Sequence, residues 1–374
     1  MIHKPEISRE WMLTMIALLI FSIAGVYLLK INAYAEQSIL KKEWLAGSWS
    51  HLTTENGLSS NTVLSIAVEG KYIWFGTYAG GASCYDRESG QWKVYTTKWE
   101  PALSKKTKSS LYWENTLEDN HVTAVVVDLN NDIWFGTTFY GYDDDYGISR
   151  FIRNPSPQWA VYGLPNGVYC NDITSIAVDA DFVWFSTQKG LARYSKKANT
   201  FSFFNSPQQL PDIYLNSVTI DSQDVWLSTA SGVTVLNKKT RTWKSYSKND
   251  GLPEDSIQAV IVEGMNIWAG GTYGSLAVFN KEEKVWREIK TGDGLDDKWI
   301  KGMVYDGRYI WVARDGGVSC YNIARGKWLA LTSEDGLAGN QVKAIAIDGS
   351  TIWFGTEAGV SRLTLNNQDK SSER

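Results

Sequence analysis

Residues 335–356 read DGLAGNQVKAIAIDGSTIWFGT and contain the pattern that decides the fold. A turn at Gly336-Leu337 precedes an aliphatic run that ends in an acid, Asp348, and an apolar-Trp pair follows at Ile352-Trp353. β-Branched and aromatic residues favour strands, whereas glycine favours the turns between them. The stretch therefore predicts two short strands joined by a tight turn at Gly349.

The same pattern recurs seven times along the chain. Its tryptophans lie 42 to 60 residues apart, at Trp74, Trp134, Trp184, Trp226, Trp268, Trp311 and Trp353. The acid that ends the preceding strand recurs as Glu69, Asp128, Asp179, Asp221, Glu263, Asp306 and Asp348. A third strand follows a glycine turn, and a fourth opens with an aromatic residue, at Trp92, Trp159, Phe201, Trp243, Trp286 or Trp328. Four short strands in about 42 residues, repeated in tandem, are the signature of a propeller blade.

We therefore predict an all-β protein built as a seven-bladed β-propeller over residues 44–365. The seventh repeat lacks a fourth strand, because the chain continues after Leu365 into a polar tail, residues 366–374. Trp49 precedes Gly57 by 8 residues, the same spacing as from Trp328 to Gly336. Trp49–Thr53 is therefore expected to form the outer strand of the last blade, which would leave no unpaired edge there.

Composition supports an all-β, turn-rich chain and excludes some functions. The 374 residues include 18 Trp, 19 Tyr and 32 Gly but only 8 Pro. The net charge is −4 and no basic stripe is present, so nucleic acid is not an expected partner. Three cysteines (Cys84, Cys170, Cys320) and three histidines, without CxxC or HExxH spacing, predict neither a zinc site nor another cofactor.

An uncharged apolar run, residues 11–29, precedes the repeats. As a helix its 19 residues reach roughly 28 Å, about the thickness of the hydrocarbon core of a membrane. Ala33-Tyr34-Ala35 also has the small-x-small form of a signal-peptidase site. We expect export to the periplasm or cell surface, with residues 1–35 as a signal peptide cleaved after Ala35 or as a hydrophobic helix retained in the inner membrane. Residues 36–43 are then a linker.

The repeats resemble the two-component regulator propeller repeat, which occurs in extracytoplasmic sensor regions of bacterial hybrid histidine kinases and in free-standing proteins. The matching residues are Asp250–Ile257 followed by Ile267-Trp268, and Asp335–Leu337 followed by Asp348-Gly349 and Ile352–Thr356. The resemblance covers roughly residues 44–365 and implies a sensing or binding module outside the cytoplasm. No kinase, receiver or DNA-binding segment follows the repeats here, so we expect a monomer that signals through a separate protein.

Two insertions beside the second blade indicate where a ligand would bind. The first lies within residues 97–119 and the second within residues 138–146. Both belong to connections that emerge on one face of a propeller, and insertions on repeat scaffolds concentrate on the binding face. The alternative is a solvated decoration without a ligand. Candidate ligand-binding residues in these connections and in the equivalent one before the sixth blade are Trp99, Trp113, Tyr140, Tyr142, Asp143, Asp144, Asp145 and Trp299.

Flat aromatic faces beside carboxylates suit the C–H faces and hydroxyl groups of a carbohydrate, and they suit a peptide nearly as well. Asp143, Asp144 and Asp145 also offer oxygen ligands for Ca²⁺, but they lack the alternating spacing of an EF-hand loop. A solvated acidic run is the competing interpretation of these three residues.

The mouth of the central channel is a second candidate site. The position directly before each first strand varies between blades: Thr62, His121, Asp172, Tyr214, Ser256, Trp299 and Gln341. The position before that one is Asn in four blades, which indicates a structural cap. We therefore predict a polar pocket at the axis formed by His121, Asp172, Tyr214, Trp299 and Lys301, with Asn216 beside them.

Three functions remain open from the sequence. The first is an exported sensor or ligand-binding propeller with a separate signalling partner, and the second is a scaffold for protein–protein assembly at the cell surface. The third is a propeller lyase or hydrolase. His121 and Asp172 alone are too few for an acid–base assignment, and no nucleophile elbow is visible, so we expect a protein that is not an enzyme.

Overall fold

The computed structural model describes residues 37–41, 45–97, 117, 119–138, 146–169, 172–290 and 299–366. Within these residues the chain forms seven four-stranded sheets, and strands consecutive in sequence pair antiparallel within each sheet. The predicted all-β, seven-bladed propeller is confirmed. The compact unit that contains it spans Ser48–Asn367, and residues 37–41 form a short helix in a separate unit.

The first four blades follow the chain in order. Blade 1 contains β2 (Val63–Glu69), β3 (Tyr72–Thr77), β4 (Ala82–Asp86) and β5 (Gln91–Tyr95). Blade 2 contains β6 (Val122–Val127), β7 (Ile133–Thr137), β8 (Tyr146–Ile152) and β9 (Gln158–Gly163). Blade 3 contains β10 (Ile173–Val178), β11 (Phe182–Thr187), β12 (Gly190–Ser195) and β13 (Thr200–Phe204). Blade 4 contains β14 (Leu215–Ile220), β15 (Asp224–Thr229), β16 (Gly232–Asn237) and β17 (Trp243–Tyr246).

Three further blades complete the set. Blade 5 contains β18 (Ile257–Glu263), β19 (Asn266–Gly271), β20 (Leu276–Asn280) and β21 (Val285–Ile289). Blade 6 contains β22 (Ile300–Tyr305), β23 (Tyr309–Arg314), β24 (Gly317–Asn322) and β25 (Lys327–Leu331). Blade 7 contains β26 (Val342–Asp348), β27 (Thr351–Thr356) and β28 (Gly359–Leu365), and β1 (Gly47–Leu52) lies beside β28. Described 3-10 helices lie at Thr54–Asn56, Leu164–Asn166, Lys248–Asp250 and Ser333–Asp335.

The first strands form the inner ring of the propeller. Each contacts the first strand of the next blade, and β26 contacts β2, so the ring returns to its start. The pairing of every first strand with its second strand shifts register at one residue, the position that β-bulges use to re-aim a side chain. We call these seven positions the bulge residues: Leu64, Thr123, Thr174, Asn216, Gln258, Lys301 and Lys343.

The tryptophans of the second strands are buried between blades, as the repeat predicts. None of the seven is more than 3% exposed. At four interfaces the indole meets a phenylalanine of the following blade edge to face, for example Trp134 and Phe185 with centroids 5.6 Å apart, or Trp353 and Phe75 at 6.1 Å. Such pairs add about 0.5–1.5 kcal/mol to the free energy of burial alone.

The acid that ends each first strand holds the tryptophan of its own blade. In six blades the indole Nε1–H donates to this carboxylate, over distances from 2.7 Å (Trp311 to Asp306) to 3.4 Å (Trp184 to Asp179). In the four of these blades where the acid is an Asp, the same carboxylate accepts backbone N–H groups of the turn that follows, as Asp179 does from Phe182 at 2.8 Å. One side chain therefore closes the turn and orients the core tryptophan.

A base from the next blade binds the same acid at five interfaces. This base directly follows the third strand, and the pairs are Arg87 with Asp348, Arg153 with Glu69, Lys196 with Asp128, Lys238 with Asp179, and Lys281 with Asp221. These ion pairs link neighbouring blades around the ring. They lie at the ends of the first and third strands, on the face opposite the predicted insertions.

The predicted asparagine cap is seen at Asn61 and Asn340, and Asp255 makes the same bond in blade 5. Asn61, Asn340 and Asp255 each accept the backbone N–H of the residue seven positions earlier, at 2.7 to 2.8 Å. These N–H groups belong to the first residues of 3-10 helices that lead into a first strand. The position is therefore structural.

Two of the three cysteines are buried free thiols, Cys84 and Cys320. Burial raises the pKa of Cys84 to about 12 and raises the pKa of Cys320 well above its ordinary value. Since the thiolate is the reactive form, both side chains act as small apolar groups at neutral pH. Cys170 lies outside the described residues.

Among the described residues, no helix is long and apolar enough to cross a membrane. The predicted hydrophobic helix at residues 11–29 lies outside the described residues.

Acid pH should weaken the inter-blade ion pairs. Burial raises the pKa values of Asp179 and Asp221, but bonds from Lys238 or Lys281 and from backbone N–H groups outweigh it, so both pKa values are lowered. In the unfolded chain the pKa of Asp is about 3.9, so near this pH the unfolded chain binds more protons than the folded one. The stabilisation is thus complete above pH of about 4 and is lost as pH falls through the folded pKa. Urea unfolding at a series of pH values measures this loss.

A pair of neighbouring lysines provides the control. Lys238→Met removes the cationic partner of Asp179 and should reduce the acid sensitivity of the unfolding free energy. Lys239→Met changes an exposed residue of the same turn and should leave the acid sensitivity of the unfolding free energy unchanged. Equal acid sensitivity of Lys238→Met and the wild type would contradict the assignment.

Candidate functional site

One face of the propeller carries the varied positions that the sequence singles out. It is built from the connections between a fourth strand and the next first strand, and from the loops between second and third strands. We call it the loop face. The residues directly before the first strands, which we call the mouth residues, are Thr62, His121, Asp172, Tyr214, Ser256, Trp299 and Gln341.

The backbone at the mouth residues is fixed although their side chains differ. In five blades the carbonyl oxygen of the mouth residue accepts the N–H of the residue just after the second strand or at its end. Tyr78 donates in this way to Thr62 at 2.9 Å, and Asp315 donates to Trp299 at 3.2 Å. The same bond recurs in blades 2, 3 and 5. This repeated bond uses only backbone atoms, so it does not depend on which side chain occupies the position.

All exposed aromatic side chains of the described chain lie on the loop face. They are Tyr78, Tyr169, Tyr214, Tyr273 and Trp299, each between 48% and 66% exposed. Tyr214 and Trp299 were predicted from the sequence. Tyr78, Tyr169 and Tyr273 were not, because they lie in short connections that contain neither an insertion nor a Trp. The repeat does place Tyr78 directly after a second strand and Tyr273 one residue further on, in the loop to the third strand.

The His121 ring contacts both Asp119 and Tyr78. Its Nδ1 lies 3.0 Å from Asp119 Oδ1, and its ring meets Tyr78 of the preceding blade edge to face at 4.4 Å between centroids. Asp119 also accepts the backbone N–H of His121 at 2.6 Å. The carboxylate found at His121 is thus Asp119, which the sequence interpretation did not consider. Asp172 occupies the mouth position of the neighbouring blade and is half-buried.

Lys301 and Trp299 lie together at the mouth. The Lys301 ammonium lies 4.7 Å from the centroid of the Trp299 indole and 3.3 Å from Asp315 Oδ2. Asp315 follows the second strand of the same blade and was not predicted. Indole, ammonium and carboxylate therefore form one cluster, in which the Trp299 side chain is 54% exposed.

Asn216, which the sequence places beside the axial pocket, makes a bond between neighbouring blades. Its side-chain Nδ2 donates to the carbonyl of Ile257 in the next blade at 2.7 Å. The bulge residues Thr123 and Thr174 make the same kind of bond to Ile173 and Leu215. At these blades the bulge residue joins neighbouring first strands.

Blade 6 departs from the repeat at a buried position. In five blades the threonine that ends the second strand donates its hydroxyl to a glycine carbonyl in the following turn or near the start of the third strand, at 2.8 to 3.2 Å. Blade 6 has Arg314 there instead, only 3% exposed, with its Nε donating to Ser319 Oγ at 2.8 Å. Arg314 pairs with Ile300 of the first strand, and Ile300 directly follows the mouth residue Trp299.

Several predicted residues lie outside the described residues: Trp99, Trp113, Tyr140, Tyr142, Asp143, Asp144 and Asp145. Within the part of the chain that the structure describes, no group of three or more His, Cys, Asp or Glu side chains is arranged to hold a metal ion. The Ca²⁺ interpretation of Asp143, Asp144 and Asp145 stays a prediction.

Comparison with solved structures returns extracellular propellers. The extracellular domain of BT3049, described as a hybrid two-component system of B. thetaiotaomicron, is 19% identical with a TM-score of 0.67, covering 85% of this chain and 42% of that one. The extracellular domain of BT4673, from the same organism, is 17% identical with a TM-score of 0.66, covering 86% and 40%. This chain thus spans about two fifths of the length of either solved chain.

A further similar structure is virginiamycin B lyase from Staphylococcus aureus, 14% identical with a TM-score of 0.62, covering 85% of this chain and 99% of the lyase. No family model and no curated protein matches the chain. At these identities the likeness establishes the propeller fold. The two-component neighbours agree with the propeller-repeat resemblance of the sequence.

The exposed aromatic side chains of the loop face should be dispensable for stability. Trp299→Ala and Tyr273→Ala should each change the free energy of unfolding by less than about 0.5 kcal/mol, because both side chains are exposed. Trp268→Ala, which empties a buried position of blade 5, should cost about 3–5 kcal/mol. Urea unfolding followed by far-UV circular dichroism compares the three variants. A large loss in Trp299→Ala would place that residue in the scaffold.

Proposed function

We propose that this protein is an exported ligand-binding or sensor propeller that binds a carbohydrate or peptide on its loop face and signals through a separate protein partner. The observation that carries the proposal is the confinement of every exposed aromatic side chain of the described chain to that face. Tyrosine and tryptophan combine an apolar face with a polar tip and are enriched at binding surfaces.

The location outside the cytoplasm rests on two observations. Two of the similar structures are extracellular domains of two-component systems. The apolar run at residues 11–29 is suited to export, either as part of a signal peptide cleaved after Ala35 or as an inner-membrane anchor. In this proposal the propeller acts as a monomer with its loop face open to ligand.

A ligand screen tests the function. Thermal unfolding of the full chain would be followed with oligosaccharides, peptidoglycan fragments, peptides and Ca²⁺. A ligand at 100 times its dissociation constant should stabilise the fold by roughly 2.7 kcal/mol. Trp299→Ala and Tyr214→Ala should abolish the shift, because both alter the loop face without removing buried contacts. Met265→Ala, an equally exposed apolar residue in a turn of the opposite face, is the matched control.

Other outcomes separate the alternative functions. A chain that no ligand stabilises, but that captures a purified protein through the loop face, would be an assembly scaffold. Turnover of a bound ligand, lost in His121→Ala while binding persists, would make the protein a lyase or hydrolase. Either result would replace the sensor function.

We also propose that the N-terminal strand closes the ring. Two contacts of β1 support this: Trp49 stacks on Phe354 with centroids 5.8 Å apart, and His51 Nε2 donates to the carbonyl of Gly336 at 2.8 Å. Trp92 in blade 1 lies at the same 5.8 Å from Phe75. Trp49 thus packs in blade 7 as Trp92, on the fourth strand β5, packs in blade 1.

This equivalence gives a matched test. Trp49→Ala should destabilise the propeller by about 2–3 kcal/mol, as should Trp92→Ala, because each removes a half-buried indole from the same place in a blade. Urea unfolding measures both. A wild-type stability for Trp49→Ala beside a destabilised Trp92→Ala would mean that β1 does not close the ring.

A further inference from the structure

Three blades carry an arginine on the third strand, opposite the core tryptophan of the second strand. The guanidinium lies 4.8 to 5.5 Å from the centroid of the indole ring in the pairs Arg150 with Trp134, Arg193 with Trp184, and Arg362 with Trp353. In blade 2 a carboxylate binds this guanidinium: Arg150 Nε and Nη2 donate to Asp132 Oδ2 at 3.1 and 2.6 Å. The position therefore suits an oxyanion.

Blade 3 has no carboxylate in this place. Phe182 stands where blade 2 has Asp132, two residues before the core tryptophan. Within the described chain Arg193 makes one side-chain hydrogen bond, from Nη2 to Ser202 Oγ at 3.4 Å, and its buried Nε has no acceptor. The rings of Phe182 and Phe204 lie 4.6 and 5.4 Å from the guanidinium and hold it by cation–π contacts. The guanidinium is thus fixed in position without a carboxylate bound to it.

A second guanidinium lies across the seam, in the turn between the third and fourth strands of blade 4. This is Arg241, which is exposed and forms no ion pair among the described residues. Its turn packs on blade 3: the Trp243 ring lies 5.8 Å from the ring of Phe204, which also contacts Arg193. Arg193 and Arg241 thus flank one seam, near the face opposite the loop face.

The carboxylate nearest in effect to Arg193 is already bound. Asp179, whose charge reaches Arg193, pairs with the Lys238 ammonium at 3.1 Å and accepts the Trp184 indole N–H at 3.4 Å. Burial and the charge of Arg241 outweigh the effect of Asp179, so the pKa of Arg193 is lowered. The two guanidiniums therefore repel each other, and an anion between them would relieve that repulsion.

The surrounding turns do not supply that anion. Arg193 and the hairpin turns of blades 3 and 4 at this face, residues 179–182, 195–200, 221–224 and 237–242, hold more cations than acids. The cations are Arg193, Lys196, Lys197, Lys238, Lys239 and Arg241, and the acids are Asp179, Asp181, Asp221 and Asp224. Ion pairs that cross to blades 2 and 5, Lys196 with Asp128 and Lys281 with Asp221, add one charge of each sign. A positive charge therefore remains at this seam.

The class of ligand follows from the two guanidinium groups. A carboxylate is planar and fits one guanidinium, as Asp132 fits Arg150 in blade 2. A phosphate monoester is tetrahedral, carries a charge of about −1.5 to −2 at neutral pH and presents oxygen atoms to two guanidiniums. We propose that Arg193 and Arg241 bind a phosphate monoester at the seam between blades 3 and 4. The site lies apart from the loop face and goes beyond the proposed function.

Calorimetric titration of the full chain tests the ligand class. Glycerol 3-phosphate should bind saturably, and about tenfold more tightly than acetate or the diester glycerophosphoglycerol, each of which carries a single charge. The affinity should fall as NaCl rises from about 20 mM to about 500 mM. Equal affinity for the monoester and the diester, or for the monoester and acetate, would remove the phosphate monoester from this site.

Variants assign the residues. Arg241→Met changes an exposed side chain and should weaken binding of glycerol 3-phosphate about tenfold, as should Arg193→Met. Phe182→Asp gives blade 3 the carboxylate of blade 2, so the new carboxylate should bind Arg193 and abolish phosphate binding. Arg362→Met is the control and should bind as the wild type does, because the neighbouring turn of blade 1 has Gly90 in the place of Arg241.

Far-UV circular dichroism checks that each variant is folded. Because Arg241 is exposed, its variant keeps the test decisive even if Arg193→Met or Phe182→Asp loses stability. Wild-type affinity of Arg241→Met, or a wild type that does not bind glycerol 3-phosphate saturably, would overturn the proposal. Neither result bears on the loop face, where Trp299→Ala is the variant expected to lose its ligand.

Discussion

The structure depends on one repeated hydrogen bond, from the indole N–H of the second strand to the acid that ends the first. A buried indole N–H needs an acceptor, and a carboxylate is a strong one. In the four blades where this acid is Asp128, Asp179, Asp221 or Asp306, the carboxylate also accepts N–H groups of the intervening turn, so the strand pair and its large core side chain are oriented together. Blade 7 differs: Asp348 binds Arg87 of blade 1, and the Trp353 indole N–H has no partner. In blade 7, where the bond between indole and acid is missing, Trp49 stacks on Phe354.

This arrangement separates the two faces by role. The acids, and the bases that reach them from the next blade, lie at the turns of one face and link the blades. On the loop face the repeated bonds use backbone carbonyls and asparagine caps, which leave the mouth side chains outside the scaffold. Variation at those positions has little structural cost. A binding surface can therefore change its chemistry on this face without changing the ring.

The fold was predictable from sequence because each blade repeats the same buried side chains. Trp, acid, turn glycine and outer aromatic recur at fixed spacing, and each has one packing role. The site was predictable only in part. Position relative to the strands placed Tyr214, Trp299 and Lys301 at the mouth, but it could not show that Asn216 bonds to the next blade or that Asp119 holds His121. Such contacts depend on side-chain rotamers and on the residues of neighbouring blades, which the periodic sequence pattern does not specify.

Seven identical blades would present the same side chains all around the channel mouth. A site for one particular ligand would therefore need blades that depart from the repeat. In the described chain these departures lie in neighbouring blades: blade 1 has Leu64 as its bulge residue, and the second strand of blade 5 ends in Gly271 instead of threonine. Blade 6 replaces the second-strand threonine with buried Arg314, and blades 6 and 7 place lysines where blades 2 to 4 have residues that bond between first strands. A buried guanidinium costs desolvation energy, and a lysine at the bulge gives up a bond between blades. Neither change is favoured by folding alone. Under the proposed ligand-binding function, these departures would distinguish one side of the mouth from the others.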